Sequence, residues 1–291
     1  MARVIDVSYH EGAINWQKVK NSGVQGVIIR CGYGRDFQKY DDKNYYQNIE
    51  GALAVGLKVG VYLYSYAKDN DAARSEAAHA LRLIEPYKDR IALPVYYDLE
   101  EPGTEKGAKE RAVIFCETLK AKGYTVGVYA NIDWWREILT GLNQYTKWVA
   151  SWRASGKPEN KPEVSNMDLW QYYAYGTIDG ISGARVDLSE PYGFIAEILN
   201  NDTGKEVFEM QLETIRKGSE GSQVKTLQRS LKELGYKGEN KKALSIDGKA
   251  GSNTVFAIRN FQADHNDMDG KPLAVDGIAG QKTLERLYKG C

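Results

Sequence analysis

Leu93-Pro94-Val95-Tyr96-Tyr97-Asp98-Leu99-Glu100 is a run of β-favouring residues that ends in acids. Residues 108–122 follow with apolar side chains at helical spacing. Gly123 stands where a helix C-cap belongs, and a second β-rich run covers 125–129. Strand, helix and strand in that order form a unit whose strands lie parallel. The alternation extends both ways. Toward the N-terminus lie runs at 4–8, 27–30 and 59–66, with a helical pattern at 71–84. Toward the C-terminus lie runs at 148–151, 168–172 and 185–188. The first five of these eight runs are each followed by a helical pattern. The later connections, 156–167 and 176–183, are rich in Gly, Pro and Asn and carry no helix. Eight strands are enough to close a barrel. The sequence therefore predicts an α/β barrel of TIM-like type, (β/α)5(β)3. An open doubly wound sheet is the alternative, but no Gly-x-Gly-x-x-Gly follows the first strand.

The whole chain has 291 residues, long enough for about two domains. Its 39 basic and 39 acidic residues cancel, which removes the basic excess expected of a nucleic-acid binder. Hydrophobic residues at 42% supply a real core and argue against disorder. No apolar run reaches the length of a membrane span, so membrane insertion is not expected. Three scattered cysteines suit a chain made in a reducing cytosol. The first six residues do not form a secretory signal, so we expect synthesis in a host cytoplasm and release to the site of action by a holin-type route. The neutral total hides an asymmetry. Residues 215–291 hold 14 Lys and Arg against 9 Asp and Glu, a net of +5, which leaves −5 for residues 1–214. All six tryptophans lie before residue 171. Asn200-Asn201-Asp202-Thr203-Gly204-Lys205 is a polar, turn-forming cluster between the two parts. The expected organisation is a barrel at 1–203, a linker at 204–214 and a small domain at 215–291.

In such a barrel the active site lies at the C-terminal ends of the strands. The first run carries Asp6, the fourth Asp98 and Glu100, the eighth Asp187. Asp98 and Glu100 are two apart and point to one side of an extended strand, while Glu101 is expected to face solvent. Closure makes the first and eighth strands neighbours and brings Asp6 to Asp187. Four crowded carboxyls raise at least one pKa, so that a general acid keeps its proton near neutral pH. Acids at strand ends also cap helices or pair with Arg, and that reading stands beside the catalytic one. Carboxylates with no nucleophile–base pair point to glycoside hydrolysis. The aromatics agree. Tyr62, Tyr64 and Tyr66 alternate on the third strand, Trp152 follows the sixth, and Trp170 and Gln171 lie on the seventh. Rings stack on sugar C–H faces and amides bond hydroxyl and acetamido groups. Tyr62 and Trp170 suit barrel filling equally well. Tyr66 and Trp152 lie nearer the rim. His10, His79 and His265 share no ligand spacing, so no metal or other cofactor is expected.

Ile5-Asp6-Val7-Ser8 with Gly12 and Ile14-Asn15-Trp16, then Asp98-Leu99-Glu100, Trp148-Val149-Ala150-Ser151-Trp152, Leu169-Trp170-Gln171-Tyr172 and the segment from Gly180 to Asp187 together resemble glycoside hydrolase family 25. These are lysozymes (muramidases), widespread among phage endolysins and bacterial autolysins. The resemblance runs in order over about the first 200 residues. It implies cleavage of the β-1,4 bond from N-acetylmuramic acid to N-acetylglucosamine in peptidoglycan. Glu100 would be the acid/base, Asp98 would orient or polarise the substrate acetamido group, and Asp6 and Asp187 would tune the site. Net retention with the acetamido oxygen as internal nucleophile is the mechanism it favours, with direct attack by an Asp left open. His10-Glu11 departs from the family, which often has Gln at the second position.

Residues 247–254 and 276–283 repeat one pattern, Asp-Gly-x-Ala-Gly-x-x-Thr, each ahead of an apolar helical stretch, 255–261 and 284–288. An Asp-Gly turn before a helix start makes structural sense alone. A third helix is expected at 222–234, with Val224, Leu227, Leu231 and Leu234 on one face. The order of these elements resembles the peptidoglycan-binding domain type 1, a small all-α module of three helices. Residues 207–215 are either a strand on this module or linker. The expected partner is the glycan strand of the bacterial cell wall, cut by one domain and held by the other. Two alternatives remain: a wall-binding protein with a decayed barrel, and a metal-dependent amidase or peptidase, which needs a His-rich site. Oligomeric state is not legible.

Overall fold

A computed structural model describes residues 3–181, 185–200 and 214–289. They fall into two compact units that divide at Lys205/Glu206. The expected linker, apart from residue 214, lies outside the described residues, as does most of 207–215.

The first unit is a closed barrel of eight strands in chain order: β1 (Arg3–Val7), β2 (Val24–Tyr33), β3 (Lys58–Tyr64), β4 (Ile91–Asp98), β5 (Val126–Asn131), β6 (Thr146–Ala150), β7 (Leu169–Gly176) and β8 (Val186–Pro191). Helices α1 (Trp16–Asn21), α2 (Tyr45–Ala54), α3 (Asn70–Ile84), α4 (Ala108–Lys120) and α5 (Ile132–Glu137) follow the first five strands. Side-chain caps start several of them. Asn15 accepts from the Lys18 amide at 3.0 Å, Asp69 from Ala72 at 2.7 Å and Asn131 from Trp134 at 2.9 Å.

Two features differ from the sequence reading. β1 to β7 pair in parallel, but β8 runs antiparallel to both β7 and β1. The described residues of the connection 177–185 form no helix, and a link of nine residues is too short for the crossover that a parallel strand needs, so the chain returns in the opposite sense. The second difference is a further helix after β8, α6 (Gly193–Asn200). Its Ile195 and Leu199 join Val4, Ile28, Leu93 and Leu169 in one buried cluster, which closes the barrel end opposite the acids.

Above that floor the interior is aromatic. Trp148 lies 4.6 Å from the Tyr129 ring, 5.2 Å from Tyr96 and 6.1 Å from Tyr62, all edge-on. Gly127 admits this packing, because a Cβ there would collide with Tyr96 and with Thr146 Oγ1. A larger apolar layer fills the space between strands and helices.

The second unit holds α7 (Ser222–Glu233), α8 (Ser252–Asp264) and α9 (Gln281–Lys289) around a core with Leu227, Ile258, Phe261 and Leu284 at its centre. The repeated pattern has a structural cause. Gln228 Nε2 donates to Asp247 Oδ1 (2.8 Å), the Lys249 carbonyl (3.0 Å) and Thr254 Oγ1 (3.1 Å), while its Oε1 accepts from the Gly248 amide (2.9 Å). Gln262 makes the same four bonds one repeat later, to Asp276, Ile278, Thr283 and Gly277. Each buried glutamine thus fixes the loop that follows it, and the Asp, Gly and Thr of the pattern are its partners.

Candidate active site

β1 delivers Asp6 and then turns sharply. Ser8 caps the next turn and receives Glu11 in return, with the Ser8 amide donating to Glu11 Oε2 at 2.6 Å. Asp6 pairs in register with Asp187 of β8. Because β8 is antiparallel, Asp187 sits near the beginning of its strand, not the end, and reaches the same rim. On β4, Asp98 lies between Tyr64 of β3 and Tyr129 of β5. The structure thus brings all four acids expected from the sequence to one mouth.

Their surroundings differ. Asp6 and Asp98 are buried, Asp187 is half-buried and Glu100 is exposed. Burial, then the neighbouring Asp187, holds the Asp6 carboxyl well above the usual carboxylate range, against a hydrogen bond from Gln171 that favours its ionised form. Burial and the charges of Glu100 and Asp6 do the same to Asp98, opposed by Arg30. Asp187 is pushed up to about 6 by burial and by Glu11, with its hydrogen bond to Asp6 acting in the other direction. Glu100 is raised by the protein walls around it, while the Tyr129 hydroxyl lowers it and Glu101 raises it further. Such a cluster retains protons that isolated carboxyls would lose. Asp98 Oδ1 is buried with no hydrogen-bond partner, an acceptor that the protein leaves unmatched.

The expected binding residues divide. Tyr62 is half-buried beside the acids and against Trp148. Tyr64 donates its hydroxyl to Glu101 Oε2 at 2.9 Å, so Glu101 is engaged with the wall of the site and is not the free surface acid expected. Tyr66 and Trp152 are 49% and 59% exposed, open to a ligand at the rim. Gln171 is buried, and its amide is occupied: Nε2 donates to Asp6 at 3.1 Å, and Oε1 accepts from Tyr129 (2.9 Å) and Trp152 Nε1 (3.0 Å). It ties three walls of the site together. Trp170 is a correction. It alternates with Gln171, so it points out of the barrel, where it is fully buried and donates to the Ser151 carbonyl at 2.8 Å.

Three residues that sequence reasoning missed also shape the mouth. The Tyr129 hydroxyl bridges to Gln171 and to Glu100. Arg30 donates from Nε to Asp42 at 2.9 Å, lies 5.0 Å from the Tyr9 ring centroid, and leaves Nη2 buried without a partner. Glu11, noted only as a departure from the family pattern, adds a fifth carboxyl beside Asp6 and Asp187. Alternation along β5 could have flagged Tyr129, since it is inward like Gly127. Nothing in the sequence marks Arg30.

Among the described residues no group of three His, Cys, Asp or Glu is arranged to hold a metal ion, and no helix is long and apolar enough to cross a membrane.

Comparison with known proteins gives a consistent picture. Residues 5–181 match the family model described as glycosyl hydrolases family 25, and residues 220–287 match a peptidoglycan binding domain. The autolytic lysozyme of Clostridium acetobutylicum is 30% identical over 264 residues, 89% of this chain and 72% of that protein. The catalytic domain of the endolysin ply40, from bacteriophage P40 of Listeria monocytogenes, is 29% identical with a TM-score of 0.56, over 69% of this chain and 96% of that one. The modular autolysin LytC of Streptococcus pneumoniae, solved with a synthetic peptidoglycan ligand, is 30% identical with a TM-score of 0.57 over 66% of this chain. The match covers 46% of LytC, so the chain spans less than half of that protein's length.

Proposed function

The chain belongs to the glycosyl hydrolases of family 25, and from that membership we propose that it is a lysozyme that cuts the β-1,4 bond between N-acetylmuramic acid and N-acetylglucosamine in peptidoglycan. The observation that carries this reading is the division of labour at the mouth. Glu100 is exposed with a raised pKa, while Asp98, two residues away, is buried with an unpartnered oxygen. A protonated Glu100 can give its proton to the leaving glycosidic oxygen and, once ionised, take one from the incoming water. Asp98 Oδ1 can accept from the acetamido N–H and so turn the acetamido oxygen toward the anomeric carbon. That oxygen then attacks, the glycosidic bond breaks, and water opens the cyclic intermediate with net retention. Asp6 and Asp187, sharing a hydrogen bond, limit the negative charge beneath the sugar. Tyr62, Tyr64, Tyr66 and Trp152 line the path of the glycan.

The C-terminal unit anchors the enzyme to the wall, supported by its match to a peptidoglycan binding domain and its basic balance against an anionic polymer.

Glu100→Gln tests the assignment. Clearing of purified cell walls should fall by about 10²-fold to 10⁴-fold, the usual worth of a general acid–base group, while sedimentation of the protein with walls is unchanged. A variant that still clears walls at the parent rate removes Glu100 from the chemistry. A parent protein that binds walls but never clears them favours the decayed barrel.

A further inference from the structure

On the β2–β3 side of the mouth, five rings succeed one another outward from the acids. Tyr64 lies 5.1 Å from Tyr66, Tyr66 lies 6.2 Å from Tyr33, Tyr33 lies 5.3 Å from Tyr40, and Tyr40 lies 5.8 Å from Phe37, between ring centroids. The inner end is part of the site, through Tyr64 and Glu101. The outer end is open, with Phe37 54% exposed. The Lys39 ammonium stands 4.8 Å from the Tyr40 ring centroid.

The loop that carries the outer rings, 34–41, is clamped. Its Gly34 amide donates to the Tyr64 carbonyl at 2.9 Å. On α3, the two ring nitrogens of His79 contact the Gly34 carbonyl and Asp41 Oδ1, each at 2.9 Å. Arg82 donates to Asp36 and to Asp41, both at 2.7 Å, and Ser75 Oγ accepts from the Asp36 amide at 3.1 Å. A single exposed Phe on a surface needs no explanation. A Phe held in water at the tip of a loop fastened at both ends and along its length, in file with rings that lead to an active site, does. The loop's order is present before any ligand arrives, so binding there loses little conformational freedom.

We propose that Tyr66, Tyr33, Tyr40 and Phe37 form a distal track for the glycan strand, holding N-acetylhexosamine units beyond those at the cleaved bond. The proposal rests on the lysozyme reading above. The occupant is the strand being cut, because the track is continuous with the mouth and each ring-to-ring step is on the scale of one pyranose unit. Successive rings are tilted or edge-on to one another, so ring faces and ring edges in turn meet the apolar sugar surface. Lys39 meets carboxylates borne by the lactyl and peptide branches.

The test uses the full-length protein and soluble, end-labelled peptidoglycan glycans from tetrasaccharide to octasaccharide. The wall-binding unit is common to all variants, so its contribution cancels. For the parent, kcat/KM should rise with length up to the octasaccharide, with cleavage biased to one bond. Phe37→Ala should lower the octasaccharide value by about threefold to tenfold and the tetrasaccharide value by no more than about twofold. It should also spread cleavage over more bonds, and Phe37→Trp should restore both. Equal losses at the two lengths, or a parent indifferent to length while still cutting, would overturn the track and leave the lysozyme reading standing. No cleavage at any length would overturn both.

Discussion

Each of the four acids is set apart by its surroundings, not by its own chemistry. Asp187, raised to about 6, allows a stability test with a defined sign. An acid whose folded pKa exceeds its unfolded value, about 3.9 for Asp, favours the fold below the unfolded pKa and loses that contribution as pH rises through the folded one. Asp187→Asn should therefore match the parent in stability near pH 4 and become more stable by about 1–2 kcal/mol above pH 7, after allowance for solvent screening. Denaturant melts of both proteins across that range check it, and a difference that does not vary with pH would contradict the shared proton. Gln171→Leu should cost about 1–3 kcal/mol, because Asp6 and Tyr129 lose a buried partner. It should also lower kcat, since Trp152 loses the bond that orients it; calorimetry and wall turnover give the two readouts. Asp6, Asp98, Glu100 and Asp187 could be found in the sequence because they are acids at the ends of β-rich runs. Tyr129 was within reach of the same alternation along β5, but Arg30 and Glu11 were not, because their proximity depends on strand register and on a turn that folds back. Trp170 qualifies on sequence as an aromatic on the seventh strand, but one residue of register from Gln171 puts it on the other face of the barrel.

Among the elements, the five helix-bearing units and the eight strands were legible through alternation and apolar spacing. The direction of β8 was missed, although the connection before it is too short for a crossover. Asp187 still reached the mouth because an antiparallel strand begins where its parallel neighbours end. α6 was overlooked although Phe194-Ile195-Ala196-Glu197-Ile198-Leu199 is strongly apolar. Its role follows from the barrel's need for a floor. Leu199→Ala should cost about 2–5 kcal/mol, as removal of a fully buried leucine does, seen as a lower melting midpoint of the barrel. No loss would mean that the floor is held by other groups. In the C-terminal unit the repeated pattern was visible, but Gln228 and Gln262, which it pairs with, lie on the preceding helices, outside the repeat. Gln262→Leu should unfold this unit selectively, because four polar groups around Asp276 and Thr283 lose their partner together, while the barrel's transition stays in place. Its amide exchange would report the change.

The whole chain pairs an acidic barrel with a basic module, and the two halves of its charge answer different tasks. The mouth gathers acids to manage a proton. In the proposed reading, the module's positive balance is what an anionic wall attracts. Removing residues 204–291 should weaken sedimentation with walls by tenfold or more, about 1.4 kcal/mol at the least. Turnover of short soluble glycans should stay within about twofold, because no barrel strand is touched. Equal clearing of intact walls by the short and full forms would contradict anchoring. Beneath these tasks lies a single chemical statement, that the mouth between Asp6, Asp98, Glu100 and Asp187 hydrolyses one kind of glycosidic bond. Mass spectrometry of peptidoglycan digested by the full-length protein addresses it. The expected products carry new reducing ends on N-acetylmuramic acid, absent when Glu100→Gln replaces the parent. New reducing ends on N-acetylglucosamine, or new amino termini in the stem peptides with the glycan intact, would contradict it.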